Sequence, residues 1–389
     1  MMSESIEHEL AQFRATVRRF YAERVAPRMA EWEERGQVDR DIWQEAGALG
    51  MLCTSAPDEY GGLGLDFRFG AIVLEEQALA GLTAPAFGVH SETVAPYLYN
   101  YGSEDMRAKW LPRLTAGTAI AALGMSEPSC GSDAKALKTT ARRDGNHFVI
   151  NGQKTFISNG EMADIVVLAA RTNDTPGGKG ISLILVETDT PGFRRGKPLK
   201  KVGLRAQDTA ELFFSDMRVP VSNLIGEEGR GFEYLMSQLA KERMMIAVTA
   251  VAAAEAALKW AVDYAAERQA FGRAIKDFQN TRFKLAEAKT EVEIGRTFID
   301  SCVAELIVGN LSPERAAMAK YWTSEMQGRV IDISLQVFGG YGYILDYPIA
   351  RAYLDCRAQR LYGGTSEIMK EIIGRTLWPN DRTTRPRSA

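Results

Sequence analysis

The feature that most constrains the fold is a long stretch without a helix breaker. Neither glycine nor proline occurs from Phe232 to Phe271, which predicts one long α-helix because these residues are the usual interruptions of helices. A second helical segment carries one stripe of apolar and small residues, spaced alternately three and four apart: Leu285, Ala288, Val292, Gly295, Ile299, Cys302 and Leu306. Such a stripe lies on one helix face, and small residues alternating with large ones favour close antiparallel packing. The C-terminal part is therefore predicted to be a helix bundle.

Two further regions precede this bundle. Residues 1–120 show helical patterns with interruptions at Pro57, at the Gly-Gly-Leu-Gly turn 61–64, and at Pro85 and Pro96. Residues 121–230 change to short runs of branched and aromatic residues, which are typical of β-strands. The predicted fold class is α+β, with four parts in chain order: an N-terminal α-helical domain (1–120), a middle β-sheet or barrel domain (121–230), a C-terminal four-helix bundle (231–380) and a flexible tail (381–389).

The β runs of the middle region lie at 148–150, 165–170, 181–187 and 211–214. Asn151-Gly152 follows the first of them, and both residue types tolerate positive φ. We therefore expect a hairpin turn at Asn151-Gly152.

Composition and charge exclude several classes of function. The net charge of the 389-residue chain is −3, so no basic field favours nucleic acid or an anionic membrane. The four cysteines are scattered without a CxxC pair and only three histidines occur, which argues against a metal site, a disulfide framework or a Ser-His-Asp relay. The first ten residues show no targeting pattern, and no apolar run of membrane-spanning length is apparent. We expect a cytoplasmic protein without membrane insertion.

No Gly-x-Gly-x-x-Gly motif follows a predicted strand, so a Rossmann dinucleotide site is not expected. Instead, five separated segments carry hydroxyl groups, aromatic rings, arginine or paired glycines. They are Leu123–Asp133 (LGMSEPSCGSD), Phe156–Gly160 (FISNG), Arg268–Gln279 (RQAFGRAIKDFQ), Gln336–Gly342 (QVFGGYG) and Leu361–Glu367 (LYGGTSE). Taken singly, each also reads as an ordinary turn or helix end.

Together, these segments resemble motifs of the acyl-CoA dehydrogenase family, and they occur in the family's order. The likeness is strongest to the long-chain branch. It is seen in Ala206–Phe214 (AQDTAELFF), in Ala319–Trp322 (AKYW) with Ser324-Glu325, and in Tyr362–Thr365 (YGGT) followed by Glu367–Glu371 (EIMKE). Departures are Ser126, where the family has threonine, and Ser129-Cys130, where it has Gly-Ala. The resemblance implies FAD as the cofactor, a soluble acyl-CoA as the substrate and an electron-transfer flavoprotein as the electron acceptor. It also implies a homo-oligomer, most often a tetramer, because the Arg268 segment reaches the flavin of a neighbouring subunit in the family.

The resemblance assigns most of the motif residues to the cofactor. These residues are Leu123, Met125, Ser126, Gly131, Ser132, Phe156, Ile157, Ser158, Arg268, Phe271, Phe278, Gln279, Gln336, Gly339, Gly340, Thr365 and Glu367. The residues assigned to the substrate are Ser132, Arg243, Tyr362 and Gly364.

Gly363 marks the main departure from the family. Many members carry a glutamate there that removes a proton from the substrate, and glycine has no side chain to do so. The long-chain and isovaleryl branches place their glutamate at a second position, which is Glu242 here. The backbone N–H of Gly363 can still donate to the thioester carbonyl, because an oxyanion donor of this kind belongs to the main chain. The catalytic residues implied are therefore Glu242 and Gly363.

The neighbours of Glu242 support this assignment. Met236, Leu239, Met244, Met245 and Ile246 make its turn apolar, so the carboxylate is expected to be desolvated, which raises its pKa and its basicity. Glu367 is the alternative acid.

The activity implied is α,β-dehydrogenation of a fatty acyl-CoA to the trans-2-enoyl-CoA. Small and helix-breaking residues at 84–88 (APAFG) favour a deep channel for a long or branched acyl chain, although an ordinary helix break gives the same pattern. Two alternatives stay open: an oxidase-like relative that passes electrons to oxygen, and a catalytically silent subunit that binds flavin or acyl-CoA.

Overall fold

The computed structural model describes residues 2–378. The chain begins with a helical region. Its α-helices are α1 (Met2–Phe20), α2 (Met29–Arg35), α3 (Asp41–Ala48), α4 (Phe67–Leu79), α5 (Ala95–Tyr101) and α6 (Glu104–Thr115). The side chain of Asp66 caps α4 and that of Ser103 caps α6, in each case by accepting a hydrogen bond from a backbone N–H of the first turn. The core of this region contains the fully buried rings of Trp32, Trp43 and Tyr97.

The segment between α4 and α5 is buried. Phe87 is 1% exposed and packs edge-on against Trp43, at 4.9 Å between ring centroids. A π-helical turn, Val89–Val94, follows and leads directly into α5. Wide turns of this kind are rare and occur often at functional sites. The helix break at 84–88 is therefore part of the core.

The middle region is one eight-stranded sheet. Its strands are β1 (Ala121–Gly124), β2 (Thr140–Asp144), β3 (His147–Ser158), β4 (Ile165–Arg171), β5 (Ile181–Glu187), β6 (Phe193–Arg195), β7 (Thr209–Pro220) and β8 (Leu224–Ile225). The strand order is β6-β7-β3-β2-β4-β5-β8, and β1 pairs in parallel with β4. The strands β4 and β5 are buried along nearly their whole length, which explains their continuous apolar sequence.

The expected hairpin turn at Asn151-Gly152 is wrong. Both residues lie inside β3, where the pairing with β7 shifts register between Ile150 and Gly152. Gly152 adopts φ +147°, and a Cβ there would lie 2.5 Å from Thr139 Oγ1, so the glycine serves a β-bulge. The tight turn between β2 and β3 falls instead between Asp144 and His147, where Gly145 has φ +59°. The Asn-Gly pair correctly predicted an unusual backbone conformation at this position, but the conformation belongs to a β-bulge and not to a turn.

The C-terminal region is helical. Its helices are α7 (Gly231–Glu267), α8 (Gln279–Ile307), α9 (Pro313–Phe338), α10 (Pro348–Cys356) and α11 (Ser366–Leu377), and a small hairpin of β9 (Gln269–Ala270) and β10 (Arg273–Ala274) joins α7 to α8. The long helices α7, α8 and α9 pack on one another, and α10 and α11 pack on α9. A Cβ at Gly295 would lie 2.9 Å from Met326 Cε, which shows how closely α8 and α9 approach. The predicted stripe on α8 faces the packed side of the helix: Ala288, Val292, Gly295, Ile299 and Cys302 are buried, and Leu285 and Leu306 at its ends are partly buried.

The helix α7 is more apolar than expected. By length and composition it could cross a bilayer, contrary to our expectation that no run is long enough, but more than half of its most apolar window is buried inside the protein. Its apolarity is explained by packing against α4, α8 and α9. The α+β fold of helical, sheet and helical domains is confirmed. The predicted flexible tail lies outside the described residues.

Candidate active site

Glu242 lies on α7 and meets α5 through Tyr97. The hydroxyl of Tyr97 donates a hydrogen bond of 3.0 Å to Glu242 Oε1. Burial of the Glu242 carboxyl raises its pKa to about 7, against the opposing effects of the Tyr97 hydrogen bond and the charge of Arg243. A carboxyl with a pKa near the working pH is suited to act as a general base. The expected desolvation of Glu242 is thus present in the structure.

The neighbouring residues fix the orientation of this turn of α7. Lys241 forms a buried ion pair with Glu92 of the π-helical turn, with 2.8 Å between Nζ and Oε2. Tyr101 and Ser237, one turn away on each helix, share a hydrogen bond of 2.7 Å. Contacts on both sides of Glu242 therefore hold the π-helical turn and α5 against α7.

Gly363 faces the same side of α7. Its φ is +63°, and a Cβ built on it would lie 2.3 Å from Ile246 Cδ1. Ile246 lies one helical turn after Glu242, so the two side chains share a helix face. A side chain at position 363 would strain the backbone, and it would also overlap with the side chain of Ile246. The loop therefore has no room for a carboxylate at position 363, whereas the facing helix α7 carries one at Glu242.

The loop 361–365 presents free backbone donors. Among the described residues, the N–H groups of Gly363 and Gly364 donate no hydrogen bond. The carbonyl of Gly364 accepts a 2.7 Å hydrogen bond from Lys320 Nζ, and Thr365 caps α11 through its side chain. The loop can therefore donate to a carbonyl oxygen through the Gly363 N–H, as the resemblance implies.

Two further residues assigned to this loop are exposed. Tyr362 lies at the surface with 43% of its area accessible. Glu367 begins α11, where its own backbone N–H and the Thr365 side chain lower the pKa of its carboxyl. A lowered pKa makes Glu367 a weaker base than Glu242.

A buried arginine adjoins the base, and a buried lysine lies near that arginine. Arg243 is 5% exposed, and burial lowers its pKa, against the opposing charge of Glu242. Its Nε has no hydrogen-bond partner among the described residues. Lys320 is fully buried. An unpaired buried guanidinium is costly unless a ligand supplies an acceptor, which agrees with the assignment of Arg243 to the substrate side.

The first two motif segments lie side by side at the end of the sheet. Leu123 lies in β1, which ends at Gly124, and Met125 and Ser126 follow this strand, while Phe156, Ile157 and Ser158 end β3. A backbone hydrogen bond of 2.9 Å from Thr155 N–H to the Ser126 carbonyl joins the two segments.

A buried ion pair reinforces this junction. Lys154 Nζ lies 2.8 Å from Glu127 Oε1, and both side chains are almost fully buried. Lys154 also donates to the Met125 carbonyl, at 3.0 Å. Gly131 and Ser132 lie on the exposed turn that follows. The ion pair was not predicted, because nothing in the local sequence distinguishes either residue from a surface charge.

The side chains at this junction suit a flavin ring. Phe156 is 70% exposed and has φ +60°, a conformation that is costly for an aromatic residue and that clusters at ligand sites. Ser126 and Ser158 are half-buried beside it, so that their hydroxyls can reach a bound ring. The exposed ring of Phe156, its strained backbone and the two neighbouring hydroxyl groups together fit the expected flavin cofactor.

The remaining cofactor segments form a second group. Arg268 follows α7, and its guanidinium lies 5.8 Å from the ring centroid of Tyr341. Phe271 is 95% exposed at the tip of the β9–β10 hairpin, with φ +52°. The other predicted residues of this group surround the same end of the bundle: Phe278 and Gln279 at the start of α8, Gln336 in the last turn of α9, and Gly339 and Gly340 in the turn after it.

This second group fits a phosphate-bearing ligand. Arg268 is exposed and forms no ion pair within the described part of the chain, and a Cβ at Gly339 or Gly340 would meet nothing within 4 Å. A free guanidinium beside open glycine backbone can approach a pyrophosphate closely. No hydrogen bond or ring contact between described residues links this group to Ser126, Phe156 or Ser158.

Comparisons with known proteins match most of the chain. Residues 7–118 match the sequence model of the acyl-CoA dehydrogenase N-terminal domain, residues 122–217 that of the middle domain and residues 229–378 that of the C-terminal domain. The mitochondrial long-chain specific acyl-CoA dehydrogenase of Sus scrofa is 46% identical over 375 residues, which cover 96% of this chain and 87% of that protein. The mitochondrial isovaleryl-CoA dehydrogenase of Pongo abelii is 35% identical over 377 residues, covering 96% and 89%.

Solved structures share the fold. The acyl-CoA dehydrogenase from Geobacillus kaustophilus has a TM-score of 0.93 and 45% identity, covering 95% of this chain and 98% of that one. A structure described as electron transferring flavoprotein of Acidaminococcus fermentans has a TM-score of 0.92 and 35% identity, covering 96% and 98%. The glutaryl-CoA dehydrogenase of Mycobacterium smegmatis in complex with FADH2 has a TM-score of 0.90 and 30% identity, covering 96% and 95%. The chain belongs to the acyl-CoA dehydrogenase family, the FAD-dependent oxidoreductases that act on a CH–CH bond of an acyl-CoA.

Proposed function

We propose that Glu242 is the base of this dehydrogenase and that the Gly363 N–H polarises the thioester carbonyl. The thioester α-proton is weakly acidic, so its removal needs both a desolvated carboxylate and a donor at the carbonyl oxygen. The α C–H bond breaks as Glu242 takes the proton, the β C–H bond breaks as hydride, and the C–C bond becomes the double bond of a trans-2-enoyl-CoA. Flavin, when bound, accepts that hydride. The observation that carries the proposal is the position of the Glu242 carboxyl, which accepts a hydrogen bond of 3.0 Å from Tyr97 on the helix face where Ile246 meets Gly363. Burial there raises the pKa of Glu242 to about 7.

The same geometry argues against a silent subunit. Gly363 alone favours an inactive relative, because a glycine cannot take a proton. A catalytically silent subunit would not need a desolvated carboxylate on the facing helix, but Glu242 is present there and accepts a hydrogen bond from the Tyr97 hydroxyl.

The substrate class we propose is a long or branched acyl chain. The segment 84–88 approaches α7 next to the base: a Cβ at Gly88 would lie 2.8 Å from Met245 Sδ and 2.7 Å from Leu74 Cδ2. Methionine is flexible and fills irregular space, so this boundary can adapt to a long or branched tail. The relatives named as long-chain and isovaleryl-CoA dehydrogenases support this range.

We further propose that the reduced enzyme passes its electrons to an electron-transfer flavoprotein and acts as a homo-oligomer. The first is supported by the neighbour described as an electron transferring flavoprotein. The second is supported by the exposed apolar side chains of α8, where Phe283 is 56% and Ile294 53% exposed, and by the exposed Phe271. Exposed apolar patches of this kind are typical of subunit interfaces.

Anaerobic titration of the flavin-bound protein with acyl-CoAs of four to eighteen carbons tests these proposals. Flavin absorbance is expected to bleach, most readily with long or branched chains. Glu242→Gln is expected to retain flavin without bleaching, whereas Glu233→Gln, an exposed carboxylate paired with Arg230 on the same helix, should bleach like the parent protein. Bleaching by Glu242→Gln at the parental rate would remove Glu242 from the mechanism, and bleaching confined to short chains would contradict the substrate class.

A further inference from the structure

Lys320 is a buried cation that the proposed chemistry does not use. It lies on α9 and is fully buried. Burial and the nearby charge of Arg243 together lower its pKa to about 8. No salt bridge within 4.0 Å is formed by its ammonium group among the described residues. Burial of an unpaired ammonium group lowers the stability of the folded state. Stabilisation of the fold therefore does not explain why a lysine occupies this position.

The one hydrogen bond that Lys320 donates goes to the active-site loop. Its Nζ lies 2.7 Å from the carbonyl oxygen of Gly364. The other contacts with α9 come from the residues that flank the loop. Ser366 Oγ donates to Glu325 Oε1 at 2.7 Å, and Arg360 forms an ion pair with the same carboxylate at 3.1 Å. Lys320 is therefore the contact between α9 and the two-glycine stretch itself.

That stretch is the most permissive part of the loop. Gly363 and Gly364 have φ of +63° and +89°, and glycine has access to more backbone conformations than any other residue. Without an anchor, the peptide planes on either side of Gly363 can rotate at little cost. The Lys320 bond anchors the peptide plane that follows Gly364, and the bond from the Tyr362 N–H to the Ala358 carbonyl, at 3.2 Å, anchors the chain before Gly363. Held at both ends, the two-glycine stretch has fewer conformations, which restricts the direction of the Gly363 N–H.

We propose that Lys320 is a positioning residue, which holds the Gly364 carbonyl from α9 so that the Gly363 N–H stays aimed at the thioester carbonyl of the substrate. The inference rests on the proposed role of Gly363. Because the ammonium is buried near Arg243, it also adds positive potential beside the loop, where negative charge develops as the α-proton leaves.

The test compares flavin-bound variants in two measurements. The first is the rate of anaerobic flavin reduction at saturating acyl-CoA, with the substrate Kd determined in parallel. The second is the red shift of a chromophoric aryl-acryloyl-CoA on binding, which reports carbonyl polarisation without turnover. Lys320→Met is expected to slow reduction by about 10- to 100-fold, with Kd changed less than about 3-fold, since misplaced oxyanion donors affect the transition state most. The red shift should fall by at least half, and Lys320→Arg should restore part of both signals.

The matched control is Thr323→Val. Thr323 is fully buried on the same helix, but its hydroxyl bonds to the Ala319 carbonyl of its own helix, so both signals should be parental. If Lys320→Met does not retain flavin, Lys320→Gln replaces it in the test. Glutamine is polar but too short to reach the Gly364 carbonyl, so the same slower reduction and smaller red shift are expected. A parental rate and red shift in the Met or Gln variant would overturn the proposal, as would a loss of rate with the full red shift retained. Absence of bleaching and red shift in the parent protein would instead show that the proposed function itself fails.

Discussion

The hydroxyl of Tyr97 donates to Glu242 Oε1 across 3.0 Å, although 145 residues separate the two in the chain. The bond acts against the main influence on the carboxyl, because burial raises the pKa of Glu242 while the Tyr97 hydrogen bond lowers it. Tyr97 is itself fully buried, and burial raises the pKa of its hydroxyl well above 10, so it stays a donor at any working pH. The tyrosine thus orients the base and keeps it ionisable near neutrality.

Removing that donor should shift the pH dependence of flavin reduction. Without the hydrogen bond, the pKa of Glu242 rises further, so Tyr97→Phe should move the ascending limb of the rate profile to higher pH. A hydrogen bond to a charged group contributes about 1.5–3 kcal/mol, equivalent to about one to two pH units. Stopped-flow reduction between pH 5.5 and 9.5 measures the limb. Tyr101→Phe, which loses the hydroxyl contact to Ser237 between the same helices, should leave the limb in place; an unshifted limb in Tyr97→Phe would argue against the base assignment.

Glu242→Gln should stabilise the protein at alkaline pH. The folded-state pKa of about 7 exceeds the unfolded value of about 4.3, so the folded state binds the proton more tightly. As pH rises from about 4 to 7, the unfolded state loses its proton first, and stability falls until both states are ionised. The deficit well above pH 7 is at most roughly 4 kcal/mol, and a neutral glutamine removes it.

Thermal unfolding of the flavin-bound proteins at pH 5 and pH 8.5 measures this effect. The Tm gain of Glu242→Gln over the parent protein should be a few degrees larger at pH 8.5. Glu233→Gln should show no such gain, because Glu233 is an exposed member of an ion pair with Arg230. Equal gains at the two pH values would mean that the Glu242 carboxyl is not desolvated in solution.

A side chain at position 363 should be harmful for a reason separate from catalysis. In Gly363→Ala, the Cβ would lie 2.3 Å from Ile246 Cδ1 at φ +63°, so backbone strain and overpacking together should cost about 1–3 kcal/mol. Ile246→Ala in the same chain should recover part of the loss, and a double-mutant cycle of unfolding free energies measures that coupling. Gly374→Ala on α11, where nothing lies within 4 Å, should be neutral or stabilising. Additive effects of Gly363→Ala and Ile246→Ala would show that the loop does not meet Ile246.

The sequence predicts those parts of the site whose signals are local. Phe156, Ser126, Gly363 and Glu242 each lie in a short recognisable segment, and the helix, sheet and helix order follows from periodicity and from the placement of glycine and proline. Tyr97 was missed because its partner is distant in the chain and its own segment looks like ordinary helix. Lys320 lies in a segment that shows the family likeness, but its contact with Gly364, 44 residues further on, was not predicted. The Asn151-Gly152 turn was misplaced because backbone freedom serves a bulge as well as a hairpin. Local patterns identify residue types, whereas the pairing of residues across elements appears only in the folded chain.

The two separate groups of cofactor residues lead to a test of subunit sharing. Ser126, Phe156 and Ser158 end the sheet, whereas Arg268, Phe271 and Gly339 lie together at one end of the bundle, and no hydrogen bond or ring contact between described residues joins the groups. We expect a neighbouring copy to supply the second group to a flavin that the first group binds. A variant lacking Arg268 and a variant lacking Glu242 should then complement each other. In a mixed pair of subunits, the site with an intact Glu242 would receive its arginine from the partner that lacks the base.

Refolding Arg268→Ala and Glu242→Gln together with FAD in equal amounts should therefore restore bleaching at about a quarter of the sites, as random pairing of two copies predicts. Each variant refolded alone should stay inactive, and a mixture of Glu242→Gln with Glu242→Ala, which lack the same group, controls for effects of mixing. Because Arg268 is exposed and forms no ion pair within the described chain, its removal should cost flavin phosphate contacts and little stability. If mixing restores nothing while each variant folds and assembles, Arg268 serves the flavin of its own subunit, and the exposed Phe271 hairpin needs another explanation.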